Sequence, residues 1–301
     1  TGSLTGFESL TVAGGGQLSI TGQSTVATIS ADSDFDIAAT GSLTATQVTF
    51  GPGDNHFAIA GRFAGSVDGG MGNDTITVSG GSEQNAVAFG NIANVEAFGM
   101  TGGFARISGM AAFNAINLTS GRLVGQSGSI ITAPQIRVGQ GATFGSAGTV
   151  DGNITVAGTL SPGASPATMT VNGNVALASG SLSQFELTPT ISDKLIVNGS
   201  VSIASGSTLQ LLPIGTLRPG TSYDLIVASG GITGSYTTVL KPADVFGFVV
   251  QRTDKIALIG QFVDPGTFGQ QVSRSIAYLN TTLATQSTTS TLFDALPALL
   301  T

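Results

Sequence analysis

The residues with the most chemical potential lie in two glycine-rich stretches. Gly69-Gly70-Met71-Gly72-Asn73-Asp74-Thr75-Ile76-Thr77 fits the nine-residue pattern G-G-x-G-x-D-x-U-x that holds calcium in β-rolls. A looser relative, Gly51-Pro52-Gly53-Asp54-Asn55-His56-Phe57, precedes it. In such a site a Gly-rich turn presents carbonyls, and one Asp points into the gap between stacked turns. Each ion draws ligands from consecutive nonapeptides, and no second full copy adjoins this one in sequence. The expectation is therefore a tight corner at Asp54 and Asp74, with no metal and no cofactor.

The other candidates carry less. Asp32, Asp34 and Asp36 alternate in the run ADSDFDIAAT. On a strand they share one face, which must be the solvent face because three unpaired charges cannot be buried; a weak cation site is the alternative there. His56 is the single histidine. Metal-assisted hydrolysis normally needs two or three His or Cys ligands, and a Ser-His-Asp arrangement would have to use His56. No G-x-S-x-G elbow accompanies it. Paired carboxylates of the glycosidase type need only two acidic residues on neighbouring elements, and the sequence singles out no such pair. No catalytic residue is assigned, and the chain is read as a non-enzyme.

These turns must be held by something, and the sequence repeats. Val150-Asp151-Gly152-Asn153-Ile154-Thr155-Val156-Ala157 recurs as Val171-Asn172-Gly173-Asn174-Val175-Ala176-Leu177-Ala178, and again as Val197-Asn198-Gly199-Ser200-Val201-Ser202-Ile203-Ala204. An apolar pair two residues apart marks each unit: Ile116/Leu118, Ile136/Val138, Ile154/Val156, Val175/Leu177 and Val201/Ile203. The steps are 20, 18, 21 and 26 residues. A coil of that length cannot bury its own apolar face and must stack on a neighbour. The fold expected is all-β: a right-handed, single-stranded parallel β-helix. At about 4.8 Å per rung, roughly nine rungs over residues 1–190 would make a rod of about 40 Å. A longer likeness, offset by 88, aligns Phe7–Gly15 with Val95–Gly103. It places Phe7, Leu10 and Val12 inward and Glu8 outward.

Composition agrees. Charged residues are 9% of the 301 and Gly accounts for 44, against roughly 25% charged residues in globular proteins generally. Many short strands and turns suit that mixture. A net charge of −7 argues against nucleic acid as a partner, since its binders carry basic surfaces. The chain has no cysteine, and no apolar run is long enough for a membrane helix. Thr1 opens inside a repeat, so the sequence reads as a piece of a longer protein.

The run Ala157-Gly158-Thr159-Leu160-Ser161-Pro162-Gly163-Ala164-Ser165-Pro166, followed by Met169-Thr170-Val171-Asn172-Gly173-Asn174, resembles a family signature. The pattern G-T-L-S-P-G-x-S-P-G-x-L-x-V-x-G-N marks the C-terminal part of autotransporter (type V secretion) passenger domains. Ala167 stands where that family usually has Gly. The resemblance implies a secreted protein at the bacterial cell surface, anchored at the outer membrane or released. Its role would be that of a stalk or adhesin, with virulence among such proteins' uses. Its partners would be its own outer-membrane barrel, absent from this chain, and host or cell-surface ligands. The absence of disulfides suits passage of an unfolded chain through a narrow pore. The rival expectation is a polysaccharide-acting β-helix enzyme, or the stalk of a hydrolase whose catalytic domain lies upstream.

From about Gln184 the texture changes: rungs lengthen, aromatics increase, and Pro189, Pro213, Pro219 and Pro242 appear. Strands are expected at Leu195–Val197, Val201–Ile203, Leu209–Leu212, Tyr223–Val227, Phe246–Arg252 and Lys255–Ile259, the last two joined by a tight turn. The expected division is β-helix rungs in 1–183, a capping region in 184–262, and a linker with a helix in 263–301. The resemblance makes 184–262 an autochaperone, a segment that starts folding of the rod. Phe268, Val272, Ile276, Leu279 and Leu283 line one face of an amphipathic helix. Leu292, Ala295, Leu296 and Leu299 suggest a short second piece, with Pro297 interrupting it.

Overall fold

A computed structural model describes residues 4–163, 166–217 and 221–295. The chain is a β-solenoid in which 54% of residues are strand and 6% are helix. Three faces of parallel strands wind round one continuous apolar core. The first face stacks Leu10, Ile29, Val48, Val67, Ile92, Ala111, Ile131, Val150 and Val171 in register. Those nine positions are the rungs expected before residue 190. Val197 and Ala228 continue the same column.

The apolar marker pairs occupy the second face. Ile116 lies over Ile136, Ile154, Val175 and Val201, and Leu118 over Val138, Val156, Leu177 and Ile203, without a slip. All ten side chains are buried. Alternation along a strand forces this, because a one-residue shift would turn every apolar residue outward. The Asn-Gly corners now have a physical reason. Gly152 and Gly173 have φ of +147° and +159°, and a Cβ on either would run into a carbonyl of the preceding rung, Ala133 or Gly152. Beside them Asn172 donates to Asp151 at 2.6 Å and Asn198 to Asn172 at 2.8 Å. On the other side the Asn174 N–H donates to Asn153 and the Ser200 N–H to Asn174. Two side-chain ladders thus staple each corner to the next and satisfy backbone donors that the bend leaves free.

The 88-residue likeness is not a structural equivalence. Leu10 lies on the first face, and four rungs later that column holds Ile92. Phe98 lies on the second face, paired with Ile76. Phe7–Val12 is a short strand that stops before its Gly pair, whereas Ala97–Ile107 runs through Gly102-Gly103. Phe7 is in register with the inward Val26, yet it is 53% exposed. Among the described residues no rung stacks beyond it, so an inward position is not a covered one. Leu10 and Val12 are half-buried and Glu8 is exposed.

Hydrogen bonding runs unbroken across residues 183 and 184, inside the strand Leu182–Leu187. Four strand pairs in the expected capping region are parallel rungs. Among the described residues there is an isolated antiparallel bridge between Leu187 and Ser192, and the departure into antiparallel strands comes with the hairpin Phe248–Gln251/Lys255–Ile259 and its pairing on Tyr223–Ala228. The helix runs from Gln270 to Ala284. Its expected apolar stripe is covered in part, with Ile276 half-buried. Leu283 is buried, whereas Phe268, Val272 and Leu279 stay 43–48% exposed. A 3-10 turn at Thr291–Ala295 buries Phe293 and leaves Leu292 exposed. Leu296, Pro297 and Leu299 lie outside the described residues, as do Thr1, Ala164, Ser165 and Pro219.

Candidate functional site: the cap, the signature loop and the acidic corner

The strand Tyr223–Ala228 is where the solenoid stops. One edge takes the parallel strand Lys194–Val197. The other pairs antiparallel with Lys255–Ile259, matching Tyr223 to Leu258 and Ile226 to Ile256. A parallel rung cannot be added there, so the hairpin closes an edge that would otherwise present free backbone groups. The hairpin works on both sides. Val249, Ile256 and Leu258 join the rod's core. Phe248 and Val250 face the other way and pack with Leu283 and Phe293 in a second small core. Tyr223 donates its hydroxyl to the Thr188 carbonyl at 2.7 Å. Asp224 accepts ion pairs from Lys255 at 3.1 Å and Lys194 at 3.4 Å, tying the last strand to the hairpin and to the preceding rung. Burial pushes the Asp224 carboxyl upward, but the two ammonium groups outweigh it and hold it below the ordinary range. A cleft of about 350 Å³ remains between hairpin and helix, lined by Tyr236, Phe248, Leu283 and Phe293.

The signature loop is fastened by a residue that sequence reasoning missed. Ser161 N–H donates to Phe144 O, and Gly163 N–H to Ser146 O. The loop then meets Asp193, which is 1% exposed. One Asp193 oxygen accepts the Ala167 N–H at 3.0 Å and the other the Glu186 N–H at 2.9 Å. A Cβ on Gly163, whose φ is +89°, would collide with that carboxylate. The Ile-Ser-Asp-Lys context of Asp193 matches no pattern, and only the 26-residue reach to Ala167 gives the residue its role.

Burial pushes the Asp193 pKa up to about 6, against the two N–H donors that favour the charged form. The folded state therefore binds a proton more readily than the unfolded chain. Its contribution is full below the unfolded value of 3.8 and is lost as pH rises through about 6. Asp193→Asn cannot titrate. Denaturant midpoints taken from pH 4.5 to 7 should fall with rising pH more steeply in the native chain than in Asp193→Asn. Parallel profiles would contradict this.

The acidic corner is a stack of turns. Asp32 and Asp34 sit in a bend and only Asp36 in the strand Phe35–Ile37, so the three do not share one strand. Asp32 and Asp34 are exposed and Asp36 half-buried. Asp36 accepts from Ser19 at 2.7 Å, and Asp34 accepts the His56 N–H at 2.8 Å. His56 is exposed, and its Nε2 lies 2.9 Å from the Thr77 hydroxyl. Asp54 accepts the Asn73 N–H, Asp74 the Asn55 N–H, and Glu96 the Asp74 N–H, at 2.8, 2.8 and 2.7 Å. Asp34, Asp54, Asp74 and Glu96 thus each cap a backbone donor of an adjoining rung. Asp74 alone is buried, at 3% exposure. Burial, then the charges of Glu96, Asp54 and Asp68, raise its pKa against the Asn55 N–H bond. Among the described residues no three His, Cys, Asp or Glu side chains converge on a metal-sized space.

No protein-family model matches the chain, and a search of curated proteins finds no match.

Proposed function

We propose that this chain is the rod and folding cap of a protein secreted to a bacterial surface by the type V route. Its role is structural and interactional, a stalk that holds a neighbouring segment away from the membrane. The supporting observation is the asymmetry of the solenoid. Uniform parallel rungs end in a locally folded antiparallel hairpin with its own apolar packing. The signature-like loop, seated on Asp193, lies a few rungs before it.

The asymmetry matters for folding. Contacts between rungs join residues 16–31 apart, and each new rung needs its neighbour first. Starting a parallel solenoid is therefore costlier than extending it. The hairpin closes within 12 residues, Phe248 to Ile259, and local contacts form fast. Tyr223 and Tyr236 bring aromatic area into the core at this end. A chain crossing a membrane C-terminal end first would meet its starter at once.

The experiment places the chain between a secretory leader and an outer-membrane barrel in a Gram-negative host. Folded, protease-resistant chain should reach the cell surface. Leu258→Asp, which puts a charge into the cap's buried face, should leave the chain inside the cell or degraded. Equal surface display of both would overturn the proposal.

A further inference from the structure

The glycine-rich motif Gly69–Thr77 has no second full copy adjoining it in sequence. In space the preceding turn supplies that copy. His56 is paired with Thr75 and Phe57 with Ile76, so Asn55 lies opposite Asp74 and Gly53 opposite Gly72. Gly53 and Gly72 both have positive φ, +117° and +137°, and a Cβ on Gly72 would strike the Gly53 carbonyl. The two turns therefore stack one on the other and share the Gly53/Gly72 corner, while Gly70 has φ +85° and its counterpart Gly51 has no positive φ. The position that is Asp in the upper turn is Asn in the lower.

Both of these side chains point inward. Asn55 is 6% exposed and Asp74 is 3% exposed. Asp74 accepts the Asn55 N–H with one oxygen, and Asn55 uses its amide nitrogen on the Gly53 carbonyl. That leaves Asp74 Oδ2 and Asn55 Oδ1 buried with no donor. Two buried oxygens lacking donors are costly. Asp54, Asp68 and Glu96 add negative potential around Asp74. A hard divalent cation takes oxygen ligands from carboxylates, amide groups and main-chain carbonyls, and that is the donor set here.

We propose that the corner between the turns 51–57 and 69–75 binds one calcium ion, with Asp74 Oδ2 and Asn55 Oδ1 as its side-chain ligands. Carbonyls of the two glycine-rich turns complete the shell. One carboxylate and one amide make a weak site, in the 10⁻⁴ to 10⁻³ M range typical of extracellular modules. Asn55 is the element that lowers the affinity.

The test uses the full chain and calcium itself. Equilibrium dialysis with radioactive calcium should show about one ion bound per chain at millimolar concentration, with magnesium a poor competitor. Asp74→Asn should abolish binding. Asp244→Asn, at an exposed carboxylate near the cap and away from both turns, should keep it. Asn55→Asp provides the positive arm, because it completes the carboxylate pair and should tighten binding at least tenfold. In chelator the same variant should melt below the native chain, because two carboxylates then face each other without an ion. Absence of uptake by the native chain at 10 mM calcium would overturn the proposal, as would uptake unchanged by Asp74→Asn. Tightening absent in a folded Asn55→Asp would overturn it too.

Discussion

Leu258→Ala should slow refolding of the full chain by about 30-fold and leave its unfolding rate nearly unchanged. Leu258 is fully buried where the hairpin meets Tyr223. Removing a buried Leu side chain costs about 2–5 kcal/mol. If the hairpin is formed in the folding transition state, the loss appears in the folding rate, and about 2 kcal/mol corresponds to the 30-fold figure. Leu160→Ala is the matched comparison, being fully buried in the middle of the rod. Its loss should appear as faster unfolding. Stopped-flow refolding and unfolding followed by circular dichroism separate the two. Equal slowing by both substitutions would place the starting structure outside the cap.

Phe63→Ala should destabilise the N-terminal rungs by about 3–5 kcal/mol. Six phenylalanines form a continuous spine there. Phe35 stacks on Phe57 at 4.9 Å, and Phe57 meets Phe63 edge-on at 5.2 Å. Phe63, Phe89, Phe98 and Phe113 continue it at 5.5, 5.8 and 5.4 Å. Phe63 touches a ring on each side, so its loss breaks the spine and opens a cavity that the rungs cannot close. Because solenoid rungs can open from one end, amide exchange under mild denaturant is the suitable measurement. Protection should fall in Ser42–Phe50 and Arg62–Asp68 and persist beyond Val150. Phe7→Ala, at a 53% exposed ring, should change stability by no more than about 0.5 kcal/mol. Equal effects of the two would mean that the spine contributes little.

The fold was legible wherever the signal was local and periodic. The pairs from Ile116/Leu118 to Val201/Ile203 fixed register because burial requires alternation, and Val201–Ile203 and Lys255–Ile259 are found at the expected ends. The 88-residue likeness misled because similar residues around a Gly pair do not reveal which face a strand lies on, or whether it stops at the pair or runs through it. Phe7 misled because burial depends on the neighbouring rung. The helix stripe is real, but a stripe does not name its partner: Leu283 is buried and Ile276 half-buried, while Val272 and Leu279 stay exposed. At the candidate sites the limit was distance. Asp193 acts on Ala167 across 26 residues, and Asn55 becomes the counterpart of Asp74 only through a 19-residue register.

The claim that the C-terminal end starts the rod is tested most directly by pulsed hydrogen exchange during refolding of the intact chain. Amides of Phe248–Gln251, Lys255–Ile259 and Tyr223–Ala228 should become protected first. Protection should then advance rung by rung, with Gln23–Ala31 last. Protection arising first in Gln23–Ala31 or Ser42–Phe50, or everywhere in one phase without order, would contradict it.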